Sequence, residues 1–525
     1  MDRGGEAPGT SSDGGLTGRT SPNQYHAPVS DAVFHVLLSV GGVALHAVMI
    51  AVVLLADRRQ PSATLAWVFA LLLLPFIGVV AYLLIGTTRA RRVAQHTQRC
   101  TKRLQLVLEK HDVSGRMHEV SMHDPRTPGF LALAERLSTT RASSGNRVAM
   151  LVNAAVAYRA MIEAVEAAQE HVHVQFYIIQ PDRTGFALRD RLIRRANDGI
   201  KIRVLCDGLG SGRLPSDFWQ PLVDAGGEAA VFHPVFRWIV PFRRRDRVDF
   251  RNHRKIVVVD GKVGFTGGIN IGNEYLGLDP DMGQWRDTHL SIEGPAVLGL
   301  QTAFVEDWMA ATGRVVEDDG CFPVPDTSGT SVVQIVDSGP DRTWSPIAHV
   351  FMQAYATARD RIWITSPYFV PSPEIYETLI TAALRGVDVR LLLPVRADSL
   401  LVHLAAHSYY RRLLDAGVRI YHYESMGWRW RRRRQPARKG FIHAKTLVVD
   451  DWVGTIGSSN MDMRSFKPNF ELNAFVLDRA FVQALATQFR ADLQDAREFT
   501  SAELAQAGIP KRLMWQTARL LSPLL

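Results

Sequence analysis

One motif, written twice, constrains this chain more than anything else in it. His253-Arg254-Lys255-Ile256-Val257-Val258-Val259-Asp260 returns as His443-Ala444-Lys445-Thr446-Leu447-Val448-Val449-Asp450, 190 positions later. A period that long marks a duplicated lobe, not a solenoid unit. Both copies are rich in β-branched residues and read as strands. On a strand, residues two apart face the same side, so each His and Lys point into one space. Each Asp lies at odd spacing from both, near the strand end, and is expected to support the motif. Gly267-Gly268-Ile269-Asn270 follows the first copy and Gly457-Ser458-Ser459-Asn460 the second, with Asn at the same offset. A single strand His is most often a satisfied packing residue. Two copies with matched Lys, Asp, Gly and Asn are not explained by packing.

The flanking sequence alternates strand and helix signals. Strands are expected at 172–179, 202–205, 361–365 and 389–393, with helices at 186–197 and 375–385. Asp224-Ala225-Gly226 is echoed by Asp415-Ala416-Gly417. This alternation predicts an α/β fold with a largely buried sheet. The expected organisation is a disordered leader (1–30), an apolar hairpin (31–92), a linker (93–140), lobes at 141–320 and 321–500, and a C-terminal helix (501–525). The stretch from Arg512 to Leu525 fits either an amphipathic surface helix or an ordinary packed one.

Two apolar segments, about 32–56 and 65–85, each approach the roughly 20 residues that cross a hydrocarbon core. The turn Asp57-Arg58-Arg59-Gln60-Pro61-Ser62 separates them. The expectation is a two-helix transmembrane hairpin; two buried soluble helices are the rival, and a cleaved signal peptide fits poorly behind a polar leader. Arg89, Arg91, Arg92, Arg99, Lys102 and Arg103 follow it, which predicts a multi-pass protein of the cell membrane with its lobes in the cytoplasm. The net charge of +9 favours anionic partners: nucleic acid, acidic lipid or phosphorylated metabolites. Cys100, Cys206 and Cys321 are odd in number and far apart, which suits a reducing compartment and no disulfide framework or metal-ligand spacing.

The two motifs resemble those of the phospholipase D superfamily. The run from Arg58 to Trp67, then Pro75, Gly78, Tyr82 and Gly86, resembles the N-terminal region of bacterial cardiolipin synthases, as do Trp285-Arg286-Asp287-Thr288-His289 and the ending Ala518–Leu525. The resemblance covers nearly all the chain after residue 31. It implies two lobes related by a pseudo-two-fold around one site, a phosphohistidine intermediate, and neither metal nor other cofactor. Candidate catalytic residues are His253, Lys255, Asp260, His443, Lys445 and Asp450. Asn270 and Asn460 can donate to phosphate oxygens. Asp287 and Glu471 resemble the family's acidic residues that orient the imidazole of the opposite lobe. By the same resemblance, His253 is the nucleophile and His443 the acid, then the base.

The reaction this implies is transfer of a phosphatidyl group between two phosphatidylglycerols, with release of glycerol. Alternatives are a hydrolytic phospholipase D, a transferase with another donor or acceptor, a superfamily nuclease and a non-catalytic lipid-binding scaffold. Phe236–Arg245 and Trp428–Arg434 mix Arg with aromatics beside each motif, as a lipid-facing rim would; solvated loops or a nucleic-acid groove are the other readings. The expected partner is an anionic membrane phospholipid, not nucleic acid. Oligomeric state is not legible.

Overall fold

The computed structural model describes residues 29–55, 61–82, 103–117, 120, 124–233, 250–279, 285–316, 318–423 and 441–522. The leader up to residue 28, the Arg-rich stretch up to residue 102 and both basic-aromatic segments lie outside them. The chain forms two compact units, Met1–Thr88 and Arg89–Leu525.

The smaller unit corrects the membrane hairpin. Its helices are α1 (Val29–Leu54), α2 (Pro61–Leu73) and α3 (Pro75–Ala81). The second apolar segment is not one span: it breaks before Pro75 into pieces of 13 and 7 residues, short of the roughly 20 needed. Side chains of α1 are described from Val40 on. Among the described residues no helix is long and apolar enough to cross a membrane. The expected transmembrane hairpin, and the multi-pass placement in the cell membrane built on it, are therefore set aside. What holds this unit is a small cluster of Met49, Val53, Leu71 and Tyr82. Trp67 meets Tyr82 edge to face at 5.3 Å.

The larger unit is built on a 15-stranded sheet. Its first seven strands are β1 (Ser143–Val152), β2 (His171–Phe176), β3 (Lys201–Asp207), β4 (Glu228–Phe232), β5 (Ile256–Val259), β6 (Val263–Gly267) and β7 (Thr288–Glu293). The rest are β8 (Ser331–Ser338), β9 (Arg361–Thr365), β10 (Phe369–Val370), β11 (Asp388–Pro394), β12 (Arg419–Tyr423), β13 (Thr446–Val449), β14 (Val453–Gly457), β15 (Met461–Asp462), β16 (Glu471–Leu477) and β17 (Ala496–Phe499); β10 and β15 pair separately. Outward from the central β1–β8 pair, one half runs β1-β7-β6-β5-β2-β3-β4. The other runs β8-β16-β14-β13-β9-β11-β12, with β17 added at the edge. The sequence repeat is thus a repeat of topology. β1 and β8 pair antiparallel, which turns one half against the other.

Each motif strand is the middle of its half. β5 lies antiparallel between β2 and β6, and β13 between β9 and β14. Buried on both faces, such strands read as near-continuous apolar runs, as Ile256–Val259 and residues 447–449 do. One face of the first half is covered by the helices Ala154–Ala167 and Arg183–Asn197, through Tyr158, Met161 and Leu192. The helices Val297–Thr312 and Arg479–Leu493 contribute Phe304, Trp308, Phe481 and Phe489 to a layer shared by both halves. Within the stretch read as a linker, the helix Thr127–Leu137 buries Phe130 and Ala134 against the second half.

Candidate active site

His and Lys of each motif stand just before the strand, not within it. Strand pairing begins at Ile256 and Thr446, so His253, Lys255, His443 and Lys445 occupy the segment that leads in. That segment is tied across the halves by backbone bonds. The His253 N–H donates to Phe470 O (2.9 Å), and the His443 N–H to Arg286 O (2.8 Å). Asn252 bridges Phe470, and Arg286 bridges Ile442. The residue after each of these partners is acidic: Glu471 after Phe470, Asp287 after Arg286.

The acids reach the imidazoles of the opposite half. Glu471 Oε2 lies 3.0 Å from His253 Nδ1, and Asp287 Oδ2 lies 2.7 Å from His443 Nδ1. Each carboxylate is fully buried, while His253 and His443 retain 8% and 7% exposure. With Nδ1 committed to a carboxylate, Nε2 is the ring atom left for chemistry. Glu471 is itself held by Ser458 Oγ and by Asn469 Nδ2 at 3.0 Å. Asp287 accepts the Thr288 N–H at 2.7 Å. The counterpart of Ser458 is Gly268, where a Cβ would sit 2.2 Å from Asp287 Oδ1. The two halves thus solve one problem differently: a longer acid with a serine, or a shorter acid with a glycine.

Lys255 and Lys445 are buried to 0% and 2% exposure. Lys255 Nζ donates to His253 O at 2.6 Å. Lys445 Nζ stands 3.0 Å from His443 Nε2 and also donates to His443 O. Burial pushes Lys255 down to about 7 and Lys445 to about 8, opposed by Glu471 and Asp287. Burial also pushes both imidazoles down to about 4; their own lysines push the same way, and the bracing acids oppose. Each imidazole also feels the lysine of the opposite motif, so the four groups behave as one electrostatic unit. Burial would raise Asp287 and Glu471, but the lysines and histidines beside them hold both below the usual carboxylate range.

The motif aspartates are elsewhere. A four-residue strand, five backbone steps or roughly 16 Å, separates each from its Lys. Asp260 accepts the N–H groups of Gln169, Glu170 and His171 at 2.8, 2.8 and 2.9 Å. Asp450 accepts those of Arg359, Asp360 and Arg361 at 3.0, 2.8 and 2.9 Å, and ion-pairs with Arg126. Both have φ of 52°, a left-handed conformation that Asp tolerates, in the turn to the next strand. They tie the turn to the chain entering β2 or β9.

The asparagines differ between halves. Asn270 Nδ2 donates to Tyr275 Oη at 2.8 Å and its Oδ1 accepts the Ile178 N–H at 3.2 Å. The Asn460 backbone N–H donates to Ser465 Oγ at 3.1 Å, while its buried Oδ1 has no hydrogen-bond partner among the described residues.

Sequence reasoning missed the aromatic wall. The Tyr177 ring stands edge-on to His253 at 4.9 Å, and Tyr275 and Trp285 approach His443 at 5.8 and 5.3 Å. Tyr177 follows β2 directly, which was the one available signal. A second group also escaped notice: His171, His173 and Cys321 have ligand atoms within 4.8 Å of one another. Arg203 Nη1 is 3.2 Å from His173 Nε2, where its charge opposes a cation.

Two regions, 161–308 and 351–493, match the family described as "Cardiolipin synthase, PLD-like domain", and 44–86 match "Phospholipase_D-nuclease N-terminal". The chain is 38% identical over 483 residues to "Cardiolipin synthase 2" of Bacillus anthracis, covering 91% of this chain and 90% of that one. It is 38% identical over 497 residues to "Cardiolipin synthase" of Geobacillus thermodenitrificans (strain NG80-2), covering 94% of each. In fold it is similar to the crystal structure of a phosphatidylserine synthase of Haemophilus influenzae Rd KW20: TM-score 0.55, 15% identity, 72% of this chain and 95% of that one.

Proposed function

This chain belongs to the cardiolipin synthase family of phospholipase D-like proteins, and from that membership we propose that it joins two phosphatidylglycerols into cardiolipin and free glycerol. The reaction class is phosphatidyl transfer of the phospholipase D type. The observation that carries the reading is the crossed bracing: each imidazole has Nδ1 on a carboxylate of the other half and a buried lysine beside it.

In the proposed first step, His253 Nε2 attacks phosphorus of the donor. The bond to the glycerol oxygen breaks, and His443 Nε2–H protonates that oxygen as it leaves. The product is a phosphatidyl-His253 and glycerol. In the second step, neutral His443 takes the proton from the free glycerol hydroxyl of a second phosphatidylglycerol. That oxygen attacks phosphorus, the N–P bond breaks, and His253 is regenerated. Lys255 and Lys445 steady the charge on the phosphoryl oxygens, with Asn460 as a further amide donor.

With both lysines charged and both imidazoles neutral, the two lysines and the two carboxylates balance. A phosphodiester adds one negative charge, and one imidazolium restores the balance. The substrate thereby recruits its own general acid.

The test is product analysis from the purified protein in mixed micelles of phosphatidylglycerol, without nucleotide. Cardiolipin and glycerol in equal amounts support the proposal. Phosphatidic acid as the sole lipid product would replace it with hydrolysis, and a folded, inactive sample would reject it.

A further inference from the structure

The C-terminal helix, Ile509–Leu520, has a buried face, a cationic face and an exposed apolar face. Trp515 and Ala518 are its buried residues, and Trp515 stacks on His407 at 5.0 Å. On a helical projection the row Arg512, Gln516, Arg519 comes next, followed by the stripe Ile509, Leu513, Leu520. These three are 82%, 66% and 80% exposed. Isolated exposed apolar residues are ordinary. Three on one stripe of one short helix form a continuous strip beside a cationic row.

The cationic row closes a small pocket. A cavity of about 230 Å³ lies between this helix and the short helix Tyr410–Asp415, lined by Arg411, Arg412, Arg512, Arg519 and Trp515. Arg412 is paired with Glu377 at 2.6 Å. Among the described residues, Arg411, Arg512 and Arg519 have no acidic partner. The helix IPKRLMWQTARL carries three cations and no acid.

We infer that this face docks on an anionic phospholipid surface, with the Ile509–Leu513–Leu520 stripe in the acyl boundary and headgroup phosphates held by Arg411, Arg512 and Arg519. Amphipathic helices lie in an interface in this way, apolar face down and cations at headgroup level. Guanidinium forks suit phosphate oxygens, bidentately where geometry allows. The occupant follows from charge: a neutral protein partner would cover the stripe but leave the arginines unanswered. The inference rests on the proposed function in one respect, that the substrate resides in a bilayer. It supplies a surface attachment that needs no spanning helix.

The experiment places a nitroxide at Leu513→Cys or Leu520→Cys in the full chain, in a Cys100→Ser background; Cys206 and Cys321 are buried. Oxygen and nickel-chelate accessibilities are compared in buffer, on phosphatidylcholine vesicles and on vesicles half phosphatidylserine. Insertion is expected on the anionic vesicles: oxygen access rises and nickel access falls. Adding Arg411→Gln, Arg512→Gln and Arg519→Gln should weaken that partitioning roughly a hundredfold, at about a kilocalorie per charge. A label equally open to nickel on anionic vesicles overturns the inference. So does a label already immobilised in buffer, which would mean that a second copy covers the face. So does a triple variant that partitions unchanged. The readout needs no turnover. Insertion without cardiolipin formation would reject the proposed reaction and keep the docking; cardiolipin formation with both labels in water would do the reverse.

Discussion

Asp287 and His443 are 156 positions apart in sequence, yet Oδ2 of one lies 2.7 Å from Nδ1 of the other. Glu471 makes the reciprocal contact with His253 across 218 positions. A single lobe would therefore present a His and a Lys with no acid to fix the ring, and a competent site requires both halves folded together.

Asp287→Asn keeps the shape of that contact and removes the charge. The amide can present its NH₂ to Nδ1 and select the wrong tautomer, and it cannot steady an imidazolium. By analogy with the same change in serine proteases, kcat should fall by roughly 10³ to 10⁴ with KM little altered. Glu471→Gln should act alike on the other ring. Initial rates on folded variants check this; a kcat within a few-fold of wild type would mean that the acids do not orient the rings.

Gly268 tests how tightly the geometry is set. A methyl at this position meets Asp287 Oδ1 at 2.2 Å, so Gly268→Ala should displace the carboxylate and lower kcat by at least roughly tenfold. The second half suggests the remedy, because Ser458 donates to Glu471 there. The double change Gly268→Ser with Asp287→Glu should recover part of what Gly268→Ala loses, and Gly268→Ser alone should not. Equal rates for the single and double variants would show that the two halves are not interchangeable at this point.

Asp450 should matter to stability and little to chemistry. Asp450→Ala removes the acceptor of three partly buried backbone N–H groups and one of the two carboxylates on Arg126, which keeps Asp124; the loss should be about 2–4 kcal/mol, below the full 1–3 kcal/mol per buried unsatisfied group because water reaches part of the turn. Thermal unfolding should shift down while kcat per folded molecule holds. Burial alone would raise this carboxyl, but its backbone and Arg126 bonds hold it below the ordinary value. Its stabilisation is therefore complete above the unfolded value near 3.8 and is lost as pH falls through the lower folded value. The variant's unfolding should show less acid sensitivity in that range.

The repeat made much of this legible. Matched offsets brought out eight of the ten candidate residues, the family resemblance supplied Asp287 and Glu471, and the topology repeats as the motif does. The membrane hairpin was misread because hydropathy runs smoothly through Leu74 and Pro75, whereas the backbone does not: the proline ends α2 and starts α3. Strand periodicity overextended the motif strands to include His and Lys, because cross-half backbone bonds, invisible to any local pattern, claim that segment instead. Tyr177, Tyr275 and Trp285 escaped because their meeting with the histidines depends on packing between distant elements.

Binding of a phosphodiester should take up protons. In the free protein both imidazoles are held near 4 and Lys255 near 7, so at pH 7 the rings are neutral and Lys255 is partly so. An anion placed among them raises all three, since each cationic form gains a counter-charge. The complex then holds more protons than the free protein, and affinity must increase as pH falls from about 8 toward 6. Calorimetric titration with a non-cleavable phosphonate analogue of short-chain phosphatidylglycerol, in buffers of different ionisation enthalpy, reads the uptake directly. About one proton or slightly more is expected at pH 7, with less in His443→Ala, where one acceptor is gone. Proton release, or uptake unchanged in that variant, would show that the substrate does not charge the acid it needs.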